Sequence, residues 1–246
     1  MTTSARPLER YRAMIEDWDA FAAAVSRPLP IDARVNALRA SPDELRERLA
    51  ARGTTLESAS WDPCAVRASR PIARTLEHWL GLFYLQERVQ AAPVLALDPQ
   101  PEEQVLDLCA APGGKTVDIA IRMRNTGSIL ANEPNGRRQQ ALLTNVNRLG
   151  LWNVTATEYR GQDFPGPAAF DRILVDAPCS AEGTLRKQAS LRDGAAPAAI
   201  ARLARLQRML LLRAFDLLAP RGTLVYSTCT FAPEENEAVV THLLST

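Results

Sequence analysis

From residue 105 onward, the sequence alternates short apolar runs with longer stretches of helical spacing. Successive side chains of a strand point to opposite faces of its sheet, so a run that is apolar throughout is typical of a strand buried on both faces. Strands that alternate with helices form parallel sheets covered on both sides. The pattern predicts a doubly wound, mostly parallel α/β sheet. The predicted strands are 105–110, 128–131, 154–157, 172–175 and 223–227, and the predicted helices are 115–124, 135–149, 198–218 and 234–244.

The N-terminal region has a mixed pattern. Apolar residues at helical spacing predict a helix over 11–25, and the segment 31–38 is predicted to be a short strand. Residues 41–44, Ser-Pro-Asp-Glu, form a capping-box signature with proline at the first helical position. We therefore expect a second helix that runs to about Arg52 and ends at Gly53.

A length of 246 residues allows one large domain, or a smaller domain beside one of ordinary size. Pro99 and Pro101 follow a long apolar stretch, at the point where the pattern changes. We therefore predict a small N-terminal α+β domain over 1–98 and a larger α/β domain over 99–246.

Composition excludes several classes of protein. A hydrophobic fraction of 46% with 23% charged residues is typical of a globular chain, not of a collagen-like or disordered one. No apolar run approaches the ~18 to 20 residues of a membrane span, and the N-terminus lacks the apolar segment of a secretory signal. The four cysteines have no C-x-x-C spacing and there are two histidines, so we expect neither a disulfide framework nor a metal site. These features favour a cytoplasmic protein with reduced thiols and no membrane partner.

A loop of small residues follows the first predicted strand, in the sequence VLDLCAAPGGKT over 105–116. Small residues let the backbone approach a ligand closely, and the helix that follows presents unpaired N–H groups. A phosphate-binding P-loop would need glycine where Cys109 stands, so nucleotide hydrolysis rests on Gly-Lys-Thr at 114–116 alone. A tight turn without a ligand is the other alternative. Glu133, after the second predicted strand, is a candidate to accept hydrogen bonds from the hydroxyls of a bound ribose.

Two cysteines lie where two further predicted strands end. Cys179 is in Asp-Ala-Pro-Cys-Ser, just after the strand 172–175, and Cys229 is in Tyr-Ser-Thr-Cys-Thr. The carboxyl ends of parallel strands form the edge at which such sheets bind ligands. A lone cysteine near a strand end is usually an inert buried thiol. Two at this edge, one of them near Asp176, weaken that interpretation, whereas Cys109 is interpreted mainly as a packing residue.

Three motifs in this order, CAAPGGKT, DAPCSAEGT and YSTCTFAPEENE, resemble the signature of the Sun-family (NOL/NOP/Sun) RNA cytosine-5 methyltransferases. The segments RYRAMIEDWDAF and RPLPIDARVNALR resemble the RNA-binding region of the bacterial small-subunit ribosomal RNA branch. The resemblance covers essentially the whole chain. It implies a Rossmann-like methyltransferase sheet, an RNA-binding N-terminal domain and S-adenosylmethionine as the methyl donor. The implied partner is RNA, with 16S ribosomal RNA favoured and transfer RNA as the alternative.

The resemblance also implies roles for particular residues. C5 of cytosine is a poor nucleophile, and a thiolate that adds to C6 enables C5 to attack a sulfonium methyl. The target base must be single-stranded or flipped out to reach such a site. By resemblance, Cys229 is the nucleophile, Cys179 assists release and Asp176 holds the base at N3, while Lys115 either lowers a thiol pKa or orients Asp176. The implied cofactor contacts are Cys109, Ala110, Ala111, Pro112, Gly113, Gly114, Lys115, Glu133 and Asp176, and the implied RNA contacts are Arg34 and Asn36.

The sequence departs from the family pattern at several places. Arg160 stands where an aspartate usually precedes Gly-Arg, with Asp163 nearby, and Ala181 replaces the usual glycine after Cys-Ser. The chain ends before the final strand pair with which relatives continue, so its second domain is expected to be C-terminally short. The alternative function is therefore a truncated or degenerate member that binds RNA without methyl transfer. For Arg34 and Asn36 the alternative to RNA contact is that they are polar ends of a strand.

Overall fold

The first helical region differs from the prediction of one continuous helix. In the computed structural model, which describes residues 6–187 and 195–246, a 3-10 helix spans Arg6–Met14 and α1 spans Trp18–Val25. A new helix begins because the Asp17 side chain accepts a hydrogen bond from the N–H of Ala20 at 2.9 Å. The helical spacing of the apolar residues therefore continues across a break between two helices.

A four-stranded antiparallel sheet follows. Its elements in chain order, with two helices between them, are β1 (Ile31–Val35), α2 (Pro42–Ala50), β2 (Leu56–Ala59), β3 (Asp62–Ala68), α3 (Leu76–Trp79) and β4 (Phe83–Leu85). The strands lie in the order β2-β3-β1-β4. β1 is shorter than the predicted strand 31–38, because the chain turns at residues 37–39 before α2 begins.

α2 begins where its capping residues predict. Ser41 accepts a hydrogen bond from the N–H of Glu44 at 3.2 Å, and the Glu44 carboxylate accepts one from the N–H of Ser41 at 2.7 Å. This is a complete capping box. The α-helix ends at Ala50 instead of near Arg52, and a turn carries the chain to Gly53. α2 and the sheet share one apolar core, which includes Val35, Leu45, Leu49, Val66 and Phe83.

The remaining elements alternate as the sequence predicts. After a 3-10 helix (Arg88–Ala91) and α4 (Ala92–Leu97), they are β5 (Gln104–Asp107), α5 (Gly114–Arg122), β6 (Ser128–Asn132), α6 (Gly136–Leu149), β7 (Val154–Thr157), β8 (Phe170–Asp176), α7 (Pro197–Leu217), β9 (Leu218–Ser227) and α8 (Glu237–Leu244). Five strands form one sheet in the order β7-β6-β5-β8-β9. β5 pairs in parallel with β6 and β8, and β6 pairs in parallel with β7. The expected doubly wound α/β sheet is confirmed.

The central strands of this sheet are buried, as their continuous apolar character predicts. Fully buried side chains on β5, β6 and β8 pack in one core with α5 and α6. Because parallel strands end at the same edge, their last residues collect there. The three central strands each end in a polar residue: Asp107, Asn132 and Asp176.

The chain forms two compact units from segments that are not contiguous in sequence. One comprises the described residues of Met1–Leu29, Ala177–Leu212 and Ser227–Thr246, and the other comprises Pro30–Asp176 and Arg213–Tyr226. We call the first the thiol unit, because it contains both motif cysteines, and the second the sheet unit. The predicted division of the chain near residue 98 stays a prediction.

α7 has 21 residues, a length sufficient to span a bilayer. Its sequence, however, carries arginine at 202, 205, 208 and 213. Within the described ranges, none of the helices combines the length and the apolar character that a membrane span requires.

Candidate functional site

The loop between β5 and α5 is held against the two neighbouring strands. The N–H of Leu108 donates to the carbonyl of Leu174 on β8, and the N–H of Ala110 donates to the carbonyl of Asn132 on β6, each at 2.9 Å. Gly113 caps α5 with a φ of +105°, a conformation that favours glycine. The loop therefore lies at the carboxyl edge of the sheet and leads directly into the N-terminus of α5. It contains the predicted cofactor contacts Cys109, Ala110, Ala111, Pro112, Gly113 and Gly114.

Burial and three nearby carboxylates raise the pKa of the Cys109 thiol. Burial raises the pKa of Cys109, and the negative charges of Asp107, Asp176 and Glu133 raise it further. The thiol stays protonated at neutral pH, which agrees with its interpretation as a packing residue. The concentration of acidic groups around this loop suits a ligand that brings positive charge or hydrogen-bond donors.

Asp107, at the end of β5, is a site residue that the sequence motifs do not single out. It is 1% exposed, and Oδ2 accepts a hydrogen bond from the Thr116 hydroxyl at 2.6 Å. Oδ1 is buried without a hydrogen-bond partner among the residues that the structure describes. Burial raises the pKa of Asp107 to about 7, while the Thr116 hydrogen bond acts in the opposite direction. Its place at the carboxyl end of a predicted strand is the signal by which the sequence could have identified it.

The structure brings Lys115 and Asp176 together. Lys115 is the second residue of α5 and Asp176 is the last residue of β8, and Lys115 Nζ donates to Asp176 Oδ2 at 2.7 Å. The side chains are 14% and 34% exposed, so water screens the pair only in part. This geometry corresponds to one of the two roles expected for Lys115, the orientation of Asp176.

Glu133 follows β6 and is 2% exposed. Its Oε1 accepts a hydrogen bond from the backbone N–H two residues further on, at 2.9 Å, and its Oε2 pairs with Arg138 Nη1 at 3.0 Å. Beside it, the fully buried Asn132 donates to the carbonyls of Leu108 and Tyr159 at 3.1 and 2.9 Å. Asn132 thereby joins the loops after β5 and β7, and it is a positioning residue that the sequence indicates only by its place beside Glu133.

In the thiol unit, the two motif cysteines are adjacent. Cys179 Sγ and Cys229 Sγ lie 3.3 Å apart, and the N–H of Cys229 donates to Cys179 Sγ, also at 3.3 Å. Cys229 is exposed and Cys179 is half-buried. The hydrogen bond with Cys229 raises the pKa of Cys179, and burial raises it further. Cys179 is therefore a neutral thiol beside a more accessible sulfur.

The loop after Cys179 passes close to the backbone of Cys229. The N–H of Gly183 donates to the Cys229 carbonyl at 2.8 Å, and a Cβ added to Gly183 would lie 2.8 Å from that same oxygen. Ala181 adopts a φ of +60° in the left-handed region, which glycine enters more easily than alanine. This backbone conformation suits the glycine that the resemblance leads us to expect at position 181.

Glu235 and its partner Gln207 hydrogen-bond the backbone on both sides of Cys179. It is fully buried, and its Oε2 accepts hydrogen bonds from the N–H of Ser180 at 3.0 Å and from Gln207 Nε2 at 2.7 Å. Gln207 Nε2 also donates to the carbonyl of Pro178 at 2.9 Å. The residues before and after Cys179 are thus attached to the same buried pair, which the sequence indicates only through the presence of Glu235 in the third motif.

Arg34 and Asn36 have structural partners inside the sheet unit. They are 4% and 0% exposed. Arg34 pairs with Asp62 and, at 2.9 Å, with Asp118, while Asn36 donates to two main-chain carbonyls at 2.9 and 3.0 Å. Burial against distant segments gives both polar groups structural partners in the protein. The RNA contact that the resemblance implies for Arg34 and Asn36 stays a prediction.

Arg160 and Asp163, at the position that departs from the family pattern, follow β7. They adjoin a short 3-10 helix, Gly161–Asp163, and both side chains are exposed. The N–H of Asp163 donates to the Arg160 carbonyl at 2.9 Å. The departure thus places a cation on the surface of the sheet unit.

Within the thiol unit, two sulfur atoms in contact provide groups for nucleophilic and acid–base chemistry. Within the sheet unit, an ammonium–carboxylate pair lies at the start of the helix that follows the loop of small residues. In the described part of the chain, three or more His, Cys, Asp or Glu side chains are nowhere grouped so that they could hold a metal ion.

The strand order, the small-residue loop and the acid after β6 together define a Rossmann-like methyltransferase fold. Solved structures confirm this class. A methyltransferase homologue protein from Pyrococcus horikoshii is 34% identical, with a TM-score of 0.81 over 99% of this chain and 83% of that one. NSun6 from Pyrococcus horikoshii, with SFG, has a TM-score of 0.88 over 97% of this chain and 86% of that one. At 22% identity the NSun6 structure shows the fold alone.

The chain belongs to the 16S rRNA methyltransferase RsmB/F family, whose family model matches residues 94–246. The model of the RsmF/B-like ferredoxin-like domain matches residues 9–75. Ribosomal RNA small subunit methyltransferase F of Klebsiella pneumoniae (strain 342) is 44% identical over 239 residues, which are 93% of this chain and 50% of that protein. The chain thus spans about half the length of the curated relatives it matches. The resemblance stated from the sequence motifs is confirmed, and the family is one of S-adenosylmethionine-dependent methyltransferases.

Proposed function

We propose that this chain transfers a methyl group from S-adenosylmethionine to C5 of a cytosine in 16S ribosomal RNA, in the cytoplasm. The observation that carries this proposal is the 3.3 Å contact between the sulfur atoms of Cys179 and Cys229. A protein that only held RNA would have no use for two thiols in contact, so the contact favours transfer over the binding-only alternative. Transfer RNA is a second candidate substrate for the same chemistry.

The sheet unit has the donor and acceptor groups that S-adenosylmethionine requires. That molecule carries an ammonium, a sulfonium and two ribose hydroxyls, all of which are stabilised by nearby carboxylates. The unpaired Oδ1 of Asp107 lies at the end of β5, and the carboxylate of Glu133 directly follows the adjacent strand β6. The N-terminus of α5 suits the carboxylate of the same ligand. These residues fit the cofactor, which supplies the methyl group as an electrophile when bound.

Cys229 is proposed as the nucleophile because it is the more exposed of the two cysteines. Its thiolate forms a bond to C6 of the cytosine, and the electron pair of the C5–C6 bond becomes available at C5. Once C5 has accepted the methyl group, whose former bonding pair stays with the donor, the C5 proton passes to a base such as water and its bonding pair re-forms the C5–C6 double bond. The bond between Sγ and C6 then breaks, and its electron pair returns to Cys229 Sγ. Cys179 Sγ lies within 3.3 Å of Cys229 Sγ, a distance over which a proton passes between the two sulfurs. Cys179 is therefore proposed to assist release.

Asp176 is proposed to hold the base at N3 and to promote its protonation, which draws electron density away from C6 and eases attack there. Lys115 keeps the carboxylate of Asp176 in one orientation through the hydrogen bond at 2.7 Å. The assignment of Asp176 and of the two cysteines to a single reaction rests on the family resemblance.

The test is transfer of a labelled methyl group from S-adenosylmethionine to 16S ribosomal RNA by the purified chain. Cys229→Ala should abolish transfer, and Cys179→Ala should accumulate a covalent protein–RNA adduct that survives a denaturing gel. Cys64→Ala is the matched control, because Cys64 is a free, half-buried cysteine on β3 without a proposed role, and it should transfer at the wild-type rate. Methylation by Cys229→Ala would exclude the mechanism. RNA binding without transfer by the wild-type chain would favour the alternative function.

A further inference from the structure

The residues that directly follow the two motif cysteines are hydrogen-bonded to each other. Ser180 Oγ and Thr230 Oγ1 are 2.7 Å apart, and the two residues are 8% and 9% exposed. Ser180 follows Cys179 and Thr230 follows Cys229. Together with the Cys229–Cys179 and Gly183–Cys229 hydrogen bonds, this side-chain hydrogen bond joins the two cysteine loops next to their thiols.

Glu182 determines the direction of that hydrogen bond. The Thr230 hydroxyl donates to Glu182 Oε2 at 3.1 Å, and the Tyr11 hydroxyl donates to the same oxygen. A hydroxyl has one proton to donate, so Thr230 accepts from Ser180. Burial raises the pKa of Tyr11, and the hydrogen bond with Glu182 raises it further, so the phenol keeps the proton that it donates. The hydroxyls of Ser180 and Thr230 thus form a chain that ends on the Glu182 carboxylate.

The burial of Glu182 makes this series of hydrogen bonds strong. Glu182 is 1% exposed, and a carboxylate removed from water is costly unless donors satisfy it. Hydrogen bonds to an ionised acceptor are stronger than those between neutral groups, and the end of the chain at Thr230 is held by one of them. The open end at Ser180 is held by Glu235 through the backbone N–H. Each cysteine loop is therefore hydrogen-bonded to a buried carboxylate: the Thr230 loop to Glu182 and the Ser180 loop to Glu235.

We propose that the hydrogen bond between Ser180 and Thr230, backed by Glu182, positions Cys179 relative to Cys229 for release of the covalent RNA adduct. Ser180, Thr230 and Glu182 are then positioning residues that act through the thiols. The inference deepens the proposed function and rests on it for the step of release. The distance between the thiols, in contrast, is testable without RNA.

The first experiment measures how fast the two thiols of the free protein are joined by diamide, which oxidises a pair of neighbouring thiols to a disulfide. Ser180→Ala removes the donor at the open end, while the Thr230 hydroxyl still donates to Glu182 and still accepts the N–H of Ala232 at 3.2 Å. Loss of one hydrogen bond should slow formation of the Cys179–Cys229 disulfide by about tenfold, measured by mass spectrometry of the linked peptides over time.

The matched control is Thr184→Val, in the same loop. The Thr184 hydroxyl donates to the carbonyl of Ala181 at 2.8 Å and takes no part in the chain of hydroxyls. This variant should oxidise at the wild-type rate. If Ser180→Ala also oxidises at the wild-type rate, the proposed positioning is overturned.

The second experiment separates positioning from stability during turnover. Ser180→Ala should raise the ratio of trapped protein–RNA adduct to methylated product by about tenfold, because release depends on the placement of Cys179. A merely structural role would lower adduct and product together and leave the ratio unchanged, which would overturn the inference. If Ser180→Ala does not fold, Thr230→Val should raise the same ratio, and Thr230→Ser, which keeps the hydroxyl, should restore it. If Ser180→Ala forms the disulfide more slowly but the wild-type protein transfers no methyl group, the result would support the positioning of the thiols. It would overturn the role of the Ser180–Thr230 hydrogen bond in release of the adduct.

Discussion

The buried carboxyl of Asp107 should make the stability of this protein depend on pH in a way that one substitution removes. Burial raises the pKa of Asp107 from 3.8 to about 7, so the unfolded chain loses this proton at a lower pH than the folded chain does. The stability contributed by the protonated carboxyl is therefore fully present below about pH 4 and is lost as the pH rises through 7. At ~1.36 kcal/mol per pKa unit, the complete loss is about 4 kcal/mol, of which about 3 kcal/mol falls between pH 5 and pH 8.

Asp107→Asn carries no proton that titrates in this range. Between pH 5 and pH 8, we expect the free energy of unfolding of the wild type to fall by about 3 kcal/mol more than that of Asp107→Asn. The measurement is urea unfolding followed by circular dichroism at both pH values, without cofactor. The cost of placing an amide beside the buried Oδ1 position is the same at both pH values, so it cancels in the comparison.

A companion variant should change the pH dependence in the opposite direction. The Thr116 hydroxyl donates to Asp107 Oδ2 at 2.6 Å and lowers the pKa of Asp107 against the effect of burial. Thr116→Val should therefore raise this pKa further and extend the loss of stability to higher pH. Parallel pH dependences in the wild type and Asp107→Asn would refute the reasoning, since they would show that Asp107 titrates alike in the folded and unfolded chain.

Three further predictions concern the loops. Ala181→Gly should raise the free energy of unfolding by about 1 kcal/mol, because glycine enters the left-handed region more easily, and urea denaturation would reveal a decrease instead if strain is absent. Gly183→Ala should lower methyl transfer by at least about tenfold, because the added Cβ would lie 2.8 Å from the Cys229 carbonyl oxygen. The affinity for S-adenosylmethionine should not change. The transfer assay measures the first effect and calorimetry the second. Lys115→Met should lower transfer by about tenfold or more through loss of the charged hydrogen bond to Asp176, and wild-type transfer by the folded variant would contradict the orienting role.

Much of the fold follows from patterns that extend over a few residues. The alternation of apolar runs with helical spacing is local, and the structure has the doubly wound sheet that it predicts. The capping box at Ser41 and Glu44 is also local, because its two hydrogen bonds join residues three positions apart. The break at Asp17 shows the limit of such patterns, since the same apolar spacing continues through two helices.

By itself, the sequence determined the class of the fold, the family and the motifs that hold the candidate residues. Only the tertiary structure decided which of these side chains meet and which are buried. Arg34 is buried because Asp118, far along the chain, pairs with it, and Ser180 meets Thr230 across 50 residues of sequence. The pKa of Asp107 likewise depends on its removal from water by the surrounding sheet and helices. Local propensities act between neighbours in sequence, whereas burial and hydrogen-bond partners depend on segments that become neighbours only when the chain folds.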